Sequence, residues 1–98
     1  MPVTIKWNKK AINQLIKAVE YIEEDSVQHA EKVKNEILAS IADLASYPEK
    51  FPPDKYKQNN DNSFKAFELY HYRISYRFWK NEIRIIRIRH TKRSPKPY

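Results

Sequence analysis

The chain has 98 residues, a net charge of +7 at pH 7, and neither cysteine nor glycine. Without cysteine it cannot form disulfides, use a thiolate nucleophile or bind zinc through cysteine, and this composition is compatible with a reducing cytosol. Without glycine it has neither a P-loop nor the glycine-rich turn of a dinucleotide site, because both need backbone conformations that only glycine tolerates. Nucleotide-dependent phosphoryl transfer and Rossmann chemistry are therefore excluded. The length predicts one domain over residues 1–98.

The positive charge is concentrated in the second half of the sequence. Residues 47–98 hold thirteen of the nineteen Lys and Arg residues but only five of the twelve acidic residues, whereas residues 1–46 carry a net charge of −1. This asymmetry is typical of a protein that binds a polyanion or an acidic protein through one part of its surface. The alternative is a solvated basic surface that serves only solubility.

Nothing in the sequence predicts a membrane segment or a secretion signal. No stretch approaches the roughly 18 consecutive apolar residues of a transmembrane helix. The first residues, MPVTIKW, have no apolar signal core. We therefore expect a cytoplasmic protein without a membrane partner.

The first half of the sequence predicts one strand and two helices. Apolar and polar residues alternate over residues 3–7, which predicts a short strand. Apolar residues at helical spacing predict a helix from residue 9 to about residue 24, with Asn8 as its N-cap. A second helix is expected to start at the N-cap Ser26 and to end at Pro48. Because the link is short, the two helices should pack antiparallel.

The second half of the sequence predicts a loop and three strands. Residues 47–62 combine three prolines with a polar run, which is typical of an exposed loop. Strand character returns over residues 63–69 and 70–79, and Lys80-Asn81 forms a hairpin turn before the last strand, Glu82–His90. The element order β-α-α-β-β-β predicts an α+β fold, with a two-helix hairpin packed on one face of an antiparallel sheet.

The phase of the last strand is ambiguous from the sequence. Ile83 and Ile85 lie on one face of a regular strand, and Ile86 and Ile88 lie on the other. If the second pair joins the core, Arg87 and Arg89 lie on the open face of the sheet. A bulge between Ile85 and Ile86 would reverse the face of one pair.

Several short motifs resemble those of one family. They are a first strand that ends in Trp7, the helix end LASYPEKF at residues 44–51, the strand YRISYRF at residues 72–78, and the ending IRIIRIRHTKR at residues 83–93. This combination resembles the RelE/ParE superfamily, the toxins of type II toxin–antitoxin (plasmid stabilisation) systems. The histidine and two basic residues of the ending favour the ParE-like subgroup.

The resemblance implies one of two growth-inhibiting activities. ParE-like members poison DNA gyrase, and RelE-like members cut mRNA on the ribosome as endoribonucleases. We favour the gyrase inhibitor and keep the mRNA interferase as the alternative. A plain RNA-binding module ranks third, because the resemblance covers the whole topology. The resemblance also implies a small, acidic, partly disordered antitoxin as partner, and no cofactor.

The candidate site residues follow from the basic C-terminal half. If the chain is a ribonuclease, His90 can act as base or acid and Arg73 and Arg89 can bind the phosphate. The alternative for His90 is a strand-end histidine that bonds to the backbone. No pair of histidines or carboxylates has metal-ligand spacing, so we expect no metal. The residues expected to bind nucleic acid or another target are Arg77, Arg87, Lys92, Arg93, Lys96 and Tyr98.

Overall fold

A computed structural model describes residues 3–93 and 96–98, so residues 94 and 95 of the predicted basic tail lie outside the described part. The elements follow the predicted order β-α-α-β-β-β, and the α+β fold is confirmed. Their bounds are β1 (Thr4–Trp7), α1 (Lys9–Glu23), α2 (Val27–Asp43), β2 (Phe64–Leu69), β3 (Tyr72–Trp79) and β4 (Glu82–His90).

The sheet is mixed, whereas the sequence analysis expected an antiparallel one. Its strand order is β1-β4-β3-β2. The pairs β2–β3 and β3–β4 are antiparallel hairpins, but β1 runs parallel to β4. The alternation of apolar and polar residues within β1 predicts which face of the strand is buried. It does not predict whether the neighbouring strand runs parallel or antiparallel. The long crossover through the helices and the first hairpin permits the parallel pairing.

The helix ends agree with prediction at some points and differ at others. Ser26 caps α2 as expected, since its hydroxyl accepts a hydrogen bond from the His29 N–H at 3.1 Å. Asn8 precedes α1, but its side chain makes no capping bond and instead accepts from Arg84 at 3.3 Å. The second helix ends at Asp43 and not at Pro48, because the following N–H groups turn back in tight bonds to the last helical carbonyls.

The hydrophobic core lies between the helix pair and one face of the sheet. The helices contribute Ile37 and Ile41, and the sheet contributes Ile74 and Tyr76, all at most 2% exposed. Phe51 anchors the long loop to this core by stacking on Phe67 with ring centroids 4.6 Å apart. The opposite face of the sheet is left for the loop and the C-terminal residues.

A β-bulge determines which side chains of β4 face the core. The register between β3 and β4 shifts between Ser75 and Tyr76, and the shift leaves Ile86 as an extra residue. The isoleucines on both sides of it are therefore buried in the core: Ile83, Ile85 and Ile88. A regular strand would have turned part of this set away from the core.

Two glycine-free turns connect the hairpin strands. Lys80 and Asn81 have φ values of 50° and 61°, so the predicted turn is present and both of its residues are left-handed. Tyr70 and His71 form a similar turn, with φ values of 52° and 66°. This second turn explains why the strand predicted to begin at residue 70 begins at Tyr72.

Candidate functional site

The sheet face opposite the helices, called the open face below, collects arginines from the two central strands. Arg73 lies directly opposite Arg89, and Arg77 lies opposite Arg84. Like charges in direct opposition destabilise a strand pair unless other groups compensate them. The open face carries Arg73 and Arg77 of β3, and Arg84, Arg87 and Arg89 of β4.

Acidic side chains compensate three of these arginines. Arg73 bonds to Asp54 at 2.8 Å and to Glu68 at 2.9 Å. Arg77 pairs with Asp61, and Arg84 pairs with Glu82. Most of the few acids in the basic half of the chain are thus used on the open face itself.

Asp54 is the centre of the open face. Its side chain is completely buried. One carboxylate oxygen accepts bonds from Arg73 and from the Tyr56 N–H, and the other accepts from Ser75 and Tyr98 at 2.9 and 2.6 Å. Burial alone would raise the pKa of Asp54, but these donors together hold that pKa below its usual value.

The described C-terminal residues fold back onto the open face. The Tyr98 ring lies 4.0 Å from the Arg87 guanidinium carbon, and Arg87 also donates to the Lys96 carbonyl at 2.6 Å. Tyr98 exchanges backbone hydrogen bonds with the long loop, donating to the Tyr56 carbonyl and accepting from the Gln58 N–H. Burial and the bond to Asp54 raise the pKa of Tyr98, so its phenol remains a proton donor.

The three candidate catalytic residues do not lie on one face. Arg73 and Arg89 share the open face, whereas His90 lies opposite Tyr72 and therefore points to the helix side of the sheet. The His90 ring packs edge-on against Tyr72 with centroids 5.0 Å apart. At the end of β4 all three nevertheless line one small cavity of about 40 Å³, together with Glu68 and Arg87.

His90 lies among cations and makes a local backbone bond. Its Nδ1 accepts from the Lys92 N–H at 3.1 Å, so the neutral ring carries its proton on Nε2. Burial and the nearby charges of Lys92, His71 and Arg93 lower the pKa of His90. These effects favour the neutral form of the ring.

A cleft of about 440 Å³ lies between α1 and the end of β4 and is called the α1–β4 cleft below. Lys92 and Arg93, which the sequence predicts to bind the target, both line this cleft with His90 and Arg89. Its other wall is the helix face that carries Lys17 and Tyr21. The predicted binding residues therefore fall into two groups, one on the open face (Arg77, Arg87, Lys96, Tyr98) and one in the cleft (Lys92, Arg93).

Sequence reasoning missed Asp54. The residue follows two prolines in a loop with three lysines, and an isolated acid in such a loop normally lies at the surface. Only its position as the single acid among residues 50–60 distinguishes it. Its burial depends on Arg73, Ser75 and Tyr98, which are distant in sequence, so no local pattern predicts it.

Within residues 3–93 and 96–98, no group of three His, Asp or Glu side chains is placed to hold a metal ion. Neither helix in this described part has the length and apolarity to cross a membrane.

Comparisons with known proteins agree with this architecture. Residues 5–95 match the family model of the ParE toxin of the type II toxin–antitoxin system parDE. Comparison with curated protein sequences found no significant match.

Solved structures share the fold at low sequence identity. The chromosomal ParDE system of P. aeruginosa has a chain with a TM-score of 0.71 and 18% identity, covering 92% of this chain and 97% of that one. An E. coli RelE toxin mutant in the free state gives 0.63 at 13% identity, covering 96% and 88%. The RelBE2 toxin–antitoxin complex of Mycobacterium tuberculosis gives 0.53 at 18% identity, covering 92% and 99%.

The family match spans almost the whole chain, and the fold of the solved structures agrees with it. The resemblance to the RelE/ParE superfamily, ParE-like subgroup, is thereby confirmed. The chain belongs to the ParE toxin family and is the toxin component of a type II toxin–antitoxin system.

Proposed function

We propose that this toxin inhibits growth by binding DNA gyrase in ParE-like fashion, and that it makes and breaks no covalent bond itself. The observation that carries the proposal is the small size of the cavity that the candidate catalytic residues share. A metal-independent ribonuclease needs its proton-transfer group and its phosphate-binding cations around one scissile bond. Here His90, Arg73 and Arg89 line one cavity of only about 40 Å³, far below the roughly 300–1,000 Å³ that is usual for ligand pockets.

Arginines of the open face already have partners within the protein, and this also supports binding without catalysis. Arg73 already makes charge-assisted bonds to Asp54 and Glu68, and Arg87 is covered by Tyr98. A phosphate would have to displace these partners before it reached either guanidinium. The exposed cations Lys92 and Arg93 need no such displacement.

The mRNA interferase remains the second candidate because of one feature of the open face. Arg73 and Arg89 lie directly opposite each other, and Arg87 and Tyr98 converge on the same part of the sheet. Paired guanidinium groups beside a tyrosine hydroxyl are suited to bind a phosphate if the tail moves aside. Under this alternative, His90 is the candidate proton-transfer group, because it lines the same small cavity as both arginines.

The partner of such a toxin is its antitoxin, which we propose to be acidic. A net charge of +7 and a second half rich in Lys and Arg favour an anionic partner. Exposed apolar residues on α1, Ile12 and Ile16, lie one turn apart and suit an amphipathic segment. We further propose that the toxin acts in the cytoplasm, where gyrase and ribosomes are found.

Expression of the toxin without an antitoxin tests the proposed target. We expect growth arrest with filamentation and DNA damage, while total mRNA remains intact. The charge reversals Lys92→Glu and Arg93→Glu should remove toxicity, and Lys9→Glu on the exposed start of α1 is the matched control that should retain it. His90→Gln should also remain toxic. Cleaved mRNA and early loss of translation, with toxicity lost in Arg89→Ala, would instead establish the interferase.

A further inference from the structure

The α1–β4 cleft has the size of a small-molecule site. Its volume of about 440 Å³ falls within the range of roughly 300–1,000 Å³ that is usual for ligand pockets. Its two walls are fixed to each other, because the Gln14 side chain accepts a hydrogen bond from the Ile88 N–H at 2.7 Å. The cleft is therefore a feature of the packed structure and not of a loose loop.

The cleft is lined by positive charges and is therefore suited to bind an anion. Lys17 lies on the helix wall, and Arg89, Lys92 and Arg93 lie on the strand wall, while no carboxylate of the described residues lines it. Burial is the main cause of the lowered pKa of His90, and the charges of Lys92 and Arg93 in the same cleft lower it further.

The aromatic and apolar side chains of the cleft are suited to bind a ligand with a flat ring. The Tyr21 side chain is 68% exposed and stands one helical turn after Lys17, so ring and ammonium group lie on the same face of α1. Ala18, Ile88 and Tyr72 also line the cleft. An exposed tyrosine beside cations is the arrangement on which a nucleobase stacks while its phosphates are neutralised.

From this geometry we propose that the α1–β4 cleft binds a nucleoside triphosphate, with the base against Tyr21 and the phosphates between Lys17 and the Lys92–Arg93 segment. This site needs no glycine-rich loop, because side-chain cations replace the backbone amides of a P-loop. Binding is a property of the free toxin and does not depend on which target it inhibits.

Calorimetric titration of the purified toxin at 0.15 M salt tests the site, with ATP, adenosine and inorganic tripolyphosphate as probes. We expect one ATP per chain and at least tenfold tighter binding of ATP than of either part alone. Tyr21→Ala should weaken ATP binding about tenfold, as loss of one stacked base predicts, and should leave tripolyphosphate binding unchanged. Lys17→Ala should weaken both. Lys32→Ala on α2 and Tyr47→Ala are controls of the same residue types outside the cleft and should weaken neither.

The titration of His90 supplies an independent readout of location. An anion beside Lys92 and Arg93 offsets the charges that lower the His90 pKa, so saturating ATP should raise the pKa that NMR measures for this ring. Equal binding of ATP and tripolyphosphate would contradict the proposal, as would an unchanged His90 pKa at saturation. An unaffected Tyr21→Ala variant would also overturn it. All of these outcomes can be read without gyrase or ribosomes.

Discussion

Asp54 holds its position because four hydrogen-bond donors surround a carboxylate that solvent does not reach. Asp54→Ala would leave the largely buried Arg73 guanidinium without its main partner and would free Ser75 and Tyr98. Removing one member of a buried ion pair destabilises a protein by about 3–5 kcal/mol. We expect a loss of about 3 kcal/mol in the free energy of unfolding, measured by urea denaturation.

The surface pair of Asp43 with Lys50 provides the control for that measurement. Both side chains are about half exposed and 3.6 Å apart. Such pairs contribute about 0–1 kcal/mol, so Asp43→Ala should change stability little. Equal losses from the two substitutions would show that Asp54 is not the centre of a buried network.

The lowered pKa of Asp54 also predicts how stability depends on pH. The unfolded chain takes up the proton near the ordinary value of 3.8, whereas the folded chain resists it until lower pH. The stabilisation is therefore complete above about pH 4 and disappears as the pH falls through the folded pKa. Between pH 5 and pH 2, unfolding of the wild type should show a steeper acid loss than unfolding of Asp54→Asn. Parallel curves would contradict the role given to this carboxylate.

At the scale of elements, the bulge in β4 allows Ile83 and Ile85 on one side of it and Ile88 on the other to face the same core. Ile85 is fully buried, whereas its neighbour Ile86 is only partly buried. Deleting buried methyl groups of a core isoleucine costs about 2–5 kcal/mol. Ile85→Ala should therefore lower the free energy of unfolding by about 3 kcal/mol, and Ile86→Ala should cost under about 1 kcal/mol. The reverse order would place the bulge elsewhere in the strand.

The same strand shows what sequence patterns can and cannot predict. Alternation identified β3 and the helical stripes correctly, because each element buries one face and this periodicity is local. The parallel pairing of β1 and the position of the bulge depend on neighbours that lie far away in sequence. The arginines were predicted as site residues from the sequence. The face of the sheet on which His90 lies could not be predicted, because it depends on the pairing of His90 with Tyr72.

At the scale of the whole molecule, positive charge is concentrated in the strand half. The helical half carries a net charge of −1, and the strand half carries the excess of Lys and Arg. Within the strand half, most acids pair with arginines of the open face, so the remaining field comes from residues such as Lys92, Arg93 and Lys96. These cations were predicted from the sequence, Lys92 and Arg93 through the family-like ending and Lys96 through the basic tail. Asp54, which sets the structure of the open face, was not, because its partners assemble only on folding.

A supercoiling assay with purified DNA gyrase, paired with an mRNA cleavage assay on programmed ribosomes, tests the central claim most directly. The small cavity around His90, Arg73 and Arg89, in which Arg73 is already bound by two carboxylates, predicts that the toxin inhibits gyrase and leaves ribosome-bound mRNA intact. Cleavage of that mRNA at toxin concentrations that leave supercoiling unaffected would contradict the account.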